Sequence, residues 1–362
     1  MSLRVVHVLD SLNLGGAEMQ CVMLVRALAA RGIESRLVHF RSGPLRSELD
    51  GSGVIAEPMA LDGFLGRGLP RFVGRLARAL LMWRADVVQT YSYYTNLPGL
   101  LGGRLAGVPV LVAGKRGEGI GLRPAQRFVD RLARRLAHAT VVNTDALRAQ
   151  LRAEDGDRHV AVIRNCVVAR GAVTPSHDPV VGMVANFRPP KDHATFLRAA
   201  ALVAERVPTA EFHLVGAGSH EACARQLVAD LGLASRVRFL GALDPAGVWA
   251  AVNRFAVSVL SSLSEGLPNV VLESMVAARP VVATAVSGVA EIVRDGVTGF
   301  VVPVRDPVAL AEPIARLLKD PQSAACMGAA ARAYALRAHG PDRMVDDVLE
   351  LYRTLAADRG RA

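Results

Sequence analysis

The stretch FAVSVLSSLSEGLPNVVLESMVAARPVVATA, residues 255–285, decides the fold. Phe255 to Ser262 is a short run rich in Val and Leu, the composition and length of a buried strand. Leu263 to Leu267 turn the chain, and Pro268-Asn269 then open a helical pattern. Proline is tolerated at a helix start because its missing N–H would lack a partner there. Pro280 to Ala285 is a second Val-rich run. Strand, helix and strand in so short a span form a unit whose two strands run parallel.

The same rhythm extends in both directions. Downstream of residue 179 the strands read 180–186, 210–216, 236–241, 255–262, 280–285 and 299–304; upstream they read 4–10, 35–40, 86–92, 109–114, 139–144 and 159–165. Helical patterns separate them, among them EMQCVMLVRALAARG, which Gly32 ends as a C-terminal cap. RGAVTPSHDP (170–179) breaks every period and reads as a linker, and Gly340-Pro341 stops a helix before a last helical stretch, 342–358. Two domains, 1–172 and 173–341, with a terminal helix in 342–362, are expected from 362 residues. The fold class is α/β: two doubly wound parallel sheets with a cleft between their carboxyl edges, where open sheets of this kind bind ligands.

Composition narrows the function. The 51% hydrophobic content excludes a disordered chain. No run reaches the roughly 18 uninterrupted apolar residues of a membrane span, and Asp10 and Asn13 interrupt any signal-peptide core at the N-terminus. Cys21, Cys166, Cys223 and Cys326 are far apart, without a CxxC, which points away from zinc and disulfides and toward a reducing cytoplasm. Residues 1–178 carry 24 Lys/Arg and 15 Asp/Glu, whereas 179–362 carry 19 and 18. A basic first half implies an anionic partner. Aromatics at 5% are not interleaved with the basic residues, so nucleic acid is not expected.

Three glycine-containing turns follow strands and open helices. LNLGGAEMQ (12–20) places Gly15 and Gly16 at a helix start that either binds an anion or simply turns tightly. LVGAGSHEACARQL (214–227) has Gly216 and Gly218 but Glu221 where a dinucleotide fingerprint has its third glycine, which disfavours NAD. The third is the opening turn, where Glu265 and Glu273 flank a helix N-terminus and are suited to accept hydrogen bonds from sugar hydroxyls. Arg188 and Lys191 follow the strand beginning at Val180 and either neutralise a diphosphate or decorate a Pro-rich loop. Asp155-Gly156-Asp157 is nominally a metal-binding DxD, but it sits in a polar turn and is read as turn chemistry.

Together these residues resemble the retaining glycosyltransferases of family 4, which have the GT-B fold of two Rossmann-like domains. SEGLPNVVLESMVAARPVVATAVSGVAEIVRDGVTGFVVP (264–303) is similar to that family's E-x7-E core, and LGGAE, the RPPK loop, LVGAGS, RVRFLG, VVNTDALR and VIRN support it. The resemblance implies an acceptor-side first domain, a nucleotide-sugar-binding second domain and a final helix crossing back to the first. It implies metal-independent, cofactor-free transfer of a hexose, from a UDP-sugar first among donors, to a hydroxyl of a glycan, glycolipid or secondary metabolite. It gives Glu273 the ribose and Glu265 the transferred sugar, beside the backbone of Gly266, Leu267, Asn269 and Val270. Arg188 and Lys191 take the diphosphate, Gly15 and Gly16 close on it, and Gly216, Leu240 and Gly241 belong to the donor loops. Lys115 or Arg116 stands where many relatives carry a histidine, and Asn165-Cys166 replaces an Asn-Gly, so a strained hinge turn is expected. An epimerase or hydrolase on the same fold, or an inactive membrane-associated module, are the other readings.

Two segments are basic and amphipathic. GLRPAQRFVDRLARRLAHA (121–139) carries Arg123, Arg127, Arg131, Arg134 and Arg135 beside Phe128, Val129, Leu132 and Leu136; LPRFVGRLARALLMW (69–83) carries Arg71, Arg75 and Arg78. Either their apolar stripes pack on the sheet, or they rest on an anionic membrane at its inner face and bring a lipid-linked acceptor.

Overall fold

In a computed structural model, residues 3–63, 68–117, 123–156, 159–174 and 178–360 are described. Thirteen strands form among them: β1 (Arg4–Ser11), β2 (Glu34–Arg41), β3 (Ile55–Pro58), β4 (Val87–Thr90), β5 (Val110–Lys115), β6 (Ala139–Val142) and β7 (Val160–Val162), then β8 (Val180–Val184), β9 (Glu211–Val215), β10 (Val237–Gly241), β11 (Val257–Leu260), β12 (Val281–Thr284) and β13 (Gly299–Val302). The first seven pair in the order β3-β2-β1-β4-β5-β6-β7 and the last six in the order β10-β9-β8-β11-β12-β13. The strand pairs are parallel throughout both sheets, as in β1 with β4 and β8 with β11. Each order contains the doubly wound 3-2-1-4-5-6 pattern, so the winding reverses between β1 and β4 and again between β8 and β11.

The chain divides into two compact units, residues 1–166 with 341–362, and residues 167–340. In the first unit, the helix Pro341–Gly360 contributes Val345, Val348 and Tyr352 to a core shared with Val5, Leu24, Leu28, Val87 and Val112. The Tyr352 hydroxyl donates to Gln89 Oε1. The helix Gly16–Ala30 ends as its sequence suggests: Gly32 adopts φ +76°, and Ile33 N–H reaches back to Leu28 C=O at 3.1 Å. In the second unit, Phe196, Phe212, Val181 and Val259 anchor the core between sheet and helices.

Two elements differ from expectation. The edge strand β3 was not expected, because four residues ending in proline show no alternation; edge strands tolerate both features. The helix Pro124–Arg134 turns its polar face inward. Asp130 and Arg134 are buried, whereas Phe128 is 68% and Leu132 51% exposed. The cause is a buried polar network. Arg134 pairs with Asp130 and, at 2.7 Å, with Asp155, while Asn96 Nδ2 donates to Asp130 at 2.8 Å. The helix Gly68–Met82 packs the ordinary way, with Phe72, Leu76 and Leu80 buried and Arg71, Arg75 and Arg78 exposed.

Candidate active site

At the carboxyl edge of the second sheet, three strand ends are stitched together through their backbones. Ala185 N–H donates to Val215 C=O at 2.9 Å, Phe187 N–H to Ala217 C=O at 3.1 Å, and Gly216 N–H to Gly241 C=O at 2.8 Å. Gly216 has φ +139°, and a Cβ there would lie 2.2 Å from the Ala185 oxygen. Its lack of a side chain therefore serves strand-end packing directly. Leu240 is 38% exposed beside it.

The winding reversal between β8 and β11 holds the charged groups. After β8 the chain passes through exposed Arg188 into a short 3-10 turn, Pro189–Lys191, and then Asp192, which adopts φ +44° and caps the helix His193–Arg206. After β11, Ser261 Oγ donates to the Lys191 and Asp192 carbonyls, both at 3.0 Å, and Leu263 N–H to Pro190 C=O at 2.8 Å. Thr284 Oγ1 on β12 donates to Ser262 C=O at 2.6 Å. Two loops 70 residues apart in sequence are thereby fixed against each other, and Lys191 Nζ pairs with the Glu265 carboxylate. Ser262 Oγ donates to the same carboxylate at 2.6 Å. Sequence reasoning did not single out Ser261, Ser262 or Thr284; a cluster of hydroxyls at two adjacent strand ends was the available signal.

The helix that follows runs Asn269–Val276, so Pro268 occupies the N-cap and not the first helical position. Pro268 offers no side-chain hydrogen bond to it, and the positive end of its dipole falls on the Gly266–Val270 turn. A Cβ on Gly288 would lie 1.7 Å from the Gly266 oxygen, so the next loop presses directly on this turn. Ser274 Oγ bonds Ser258 on β11 at 2.7 Å and pins the helix to the sheet. Glu273 is partly buried, and burial raises its carboxyl above the ordinary range against the opposing charge of Arg170. His193 stacks on Phe187 at 4.2 Å, and burial lowers its imidazole to about 4.

In the first unit, Gly15 is the N-cap of Gly16–Ala30, and the Glu18 carboxylate folds back so closely that a Cβ on Gly15 would lie 2.2 Å from it. Burial raises the Glu18 carboxyl, Asp10 adds to the rise, and Arg116 and Arg41 oppose it. Lys115 and Arg116 diverge. Lys115 pairs with Glu154 at 3.6 Å. Arg116 donates to Asn165 Oδ1 at 2.9 Å and lies 5.3 Å from the Tyr91 ring centre. The expected hinge strain is absent at Cys166, which is not among the residues with positive φ. Instead the Gln20 amide grips its backbone, donating to its C=O and accepting from its N–H, both at 2.8 Å. Asp155 of the nominal DxD is held by Arg131 and Arg134 and precedes Gly156 at φ +74°; Asp157 lies outside the described residues. Among the described residues, no three His, Cys, Asp or Glu side chains cluster closely enough to hold a metal ion.

Comparison with known proteins accounts for both units. The family described as "Glycosyl transferases group 1" matches residues 178–320, and the "Glycosyl transferase 4-like domain" matches residues 15–166. The lipopolysaccharide core biosynthesis glycosyltransferase LpsE of Rhizobium meliloti is 29% identical over 324 residues, covering 84% of this chain and 86% of that protein. A D-inositol 3-phosphate glycosyltransferase of Corynebacterium diphtheriae is 26% identical, covering 88% and 84%. Among solved structures, Anabaena HepE in complex with UDP and glucose superposes with a TM-score of 0.85 at 19% identity, over 97% of this chain and 100% of that one. Sucrose-phosphate synthase of Thermosynechococcus elongatus reaches 0.82 at 21% identity, over 98% and 100%. Two parallel doubly wound sheets, the second within one matched glycosyltransferase domain and the first, β1 apart, within the other, place the chain in the group 1 glycosyltransferases of GT-B fold.

Proposed function

We propose that the protein moves a hexose from a nucleotide-diphosphate sugar to a hydroxyl acceptor, with retention of configuration and without a metal ion. The Lys191–Glu265 pair beside the N-terminus of the helix Asn269–Val276 carries this reading. A diphosphate placed there meets the helix dipole and the ammonium of Lys191, with Arg188 at the rim, while Glu265 and Ser262 exchange their present contacts for sugar hydroxyls. Glu273 takes the ribose hydroxyls, and the Gly216–Gly241 strand ends take the base. Gly15 and Gly16 take the phosphate side in the first unit, with Arg116, and not Lys115, in the histidine's place, since Arg116 bears on the Glu18 carboxyl beside Gly15 whereas Lys115 pairs with Glu154. UDP is the favoured nucleotide because HepE is known in complex with UDP and with UDP-glucose. Thermal-shift screening with UDP, GDP and ADP, followed by transfer assays with the matching sugars, tests the assignment. UDP should give the largest shift and turnover should survive EDTA; stabilisation by GDP or ADP alone overturns the base, and loss of turnover in EDTA overturns metal independence.

We further propose that the helix Pro124–Arg134 rests on an anionic membrane surface, which would bring a lipid-linked acceptor to the protein. Phe128 and Leu132 project into solvent beside exposed Arg127, Arg131 and Arg135, the mixture of apolar and basic groups that suits an anionic lipid surface. Among the described residues, no helix is long and apolar enough to cross a membrane. Phe128→Ser with Leu132→Ser should abolish sedimentation with anionic liposomes; equal recovery of the parent with neutral and anionic vesicles would sink the idea.

A further inference from the structure

A groove of about 460 Å³, within the size range of small-molecule sites, lies in the second unit on the face of β9 and β10 bordered by the helix Pro245–Arg254. Val180 and Glu211, where β8 and β9 begin, mark one end, so the groove starts at the opposite end of the sheet from Lys191 and Gly216. It is open because β10 is the edge strand: Arg238 is 61% exposed in its side chain, and Leu240 is 38% exposed.

Its lining is charge-balanced. Glu211 accepts from Arg238 Nε at 3.0 Å and Nη2 at 3.4 Å and touches His213 Nε2 at 3.3 Å, while Asp178 and Arg254 add one further charge of each sign. Burial lowers the His213 imidazole, which keeps it neutral at physiological pH. A ligand with net charge gains as much repulsion as attraction in such a lining. A neutral polyol does not, and its hydroxyls hydrogen-bond to the planar Glu211 carboxylate and Arg238 guanidinium. Pro179 supplies apolar surface at the end of the groove where β8 begins, and Leu240, of the donor loops, bounds its other end.

We propose that this groove is a second saccharide site that takes a neutral oligosaccharide. It goes beyond the transfer reaction and does not require it. Saturation-transfer NMR tests it with methyl α-glucoside, methyl α-mannoside, maltotetraose and chitotetraose, each in the presence of saturating UDP. At least one should receive saturation from the parent protein, and a longer chain should outdo its monosaccharide. The two variants Arg238→Ala and Glu211→Gln, both at exposed positions, should weaken that binding about tenfold and leave the thermal shift with UDP unchanged. Absence of transfer to all four saccharides, or equal transfer in parent and both variants, overturns the proposal. The UDP shift is read separately, so its absence in the parent counts against the donor assignment and not against the groove.

Discussion

Lys191 and Glu265 hold each other in the structure, so each donor atom that enters between them must replace an interaction already made. For Lys191 the replacement is a diphosphate, whose charge grows as the sugar departs. Lys191→Ala should therefore lower kcat roughly 100- to 1,000-fold with little change in KM; unchanged turnover would remove Lys191 from the leaving-group role. Glu273 answers to a different test. Its folded carboxyl titrates above the ordinary range, so the fold favours the protonated form, and ionisation costs stability progressively as pH rises through the folded value. Glu273→Gln should thus raise Tm at neutral pH, with the gain fading toward acid, while donor affinity falls. A lower Tm at neutral pH would show that the carboxylate is stabilising. The sequence marked both positions as candidates, a cation past a strand end and an acid one turn into a helix, and the resemblance supplied the roles proposed for them. The Ser262 contact was not legible, because it depends on a strand-end geometry that spacing does not encode.

The Val-rich strands could be read from sequence because both faces of a parallel sheet are buried. Helix faces were less certain, and Pro124–Arg134 shows why. A hydrophobic period assumes that burial follows apolarity, yet Asp130 and Asp155 pair with Arg134 inside, which reverses the ranking. Packing of strand ends gives a further prediction. Gly216→Ala adds a Cβ both at positive φ and against the Ala185 oxygen, and should cost about 1–3 kcal/mol in chemical denaturation. A variant as stable as the parent would mean that the strand ends yield. Tyr352→Phe leaves the Gln89 side chain without its hydroxyl partner and should cost about 1–3 kcal/mol. No loss would show that Gln89 finds another partner.

Each unit carries a buried neutral histidine, His7 on β1 with its imidazole lowered to about 3, and His193 in the second sheet's helix layer at about 4. Both folded values lie below the unfolded one, near 6.5. Their contribution is therefore complete above that value and is lost as pH falls toward 4 and then 3. Urea midpoints should drop across this window, and His193→Gln should flatten the slope for the second unit; an unchanged slope would assign the acid sensitivity elsewhere. The division of the chain has a consequence for biosynthesis. The second unit is a continuous segment, 167–340, whereas the first needs the helix Pro341–Gly360 to cover Val5, Leu28 and Val112. On the ribosome, the part made first is thus completed last. Its sheet emerges with an uncovered apolar face and waits while the whole second unit is synthesised, a period in which a chaperone has most to protect.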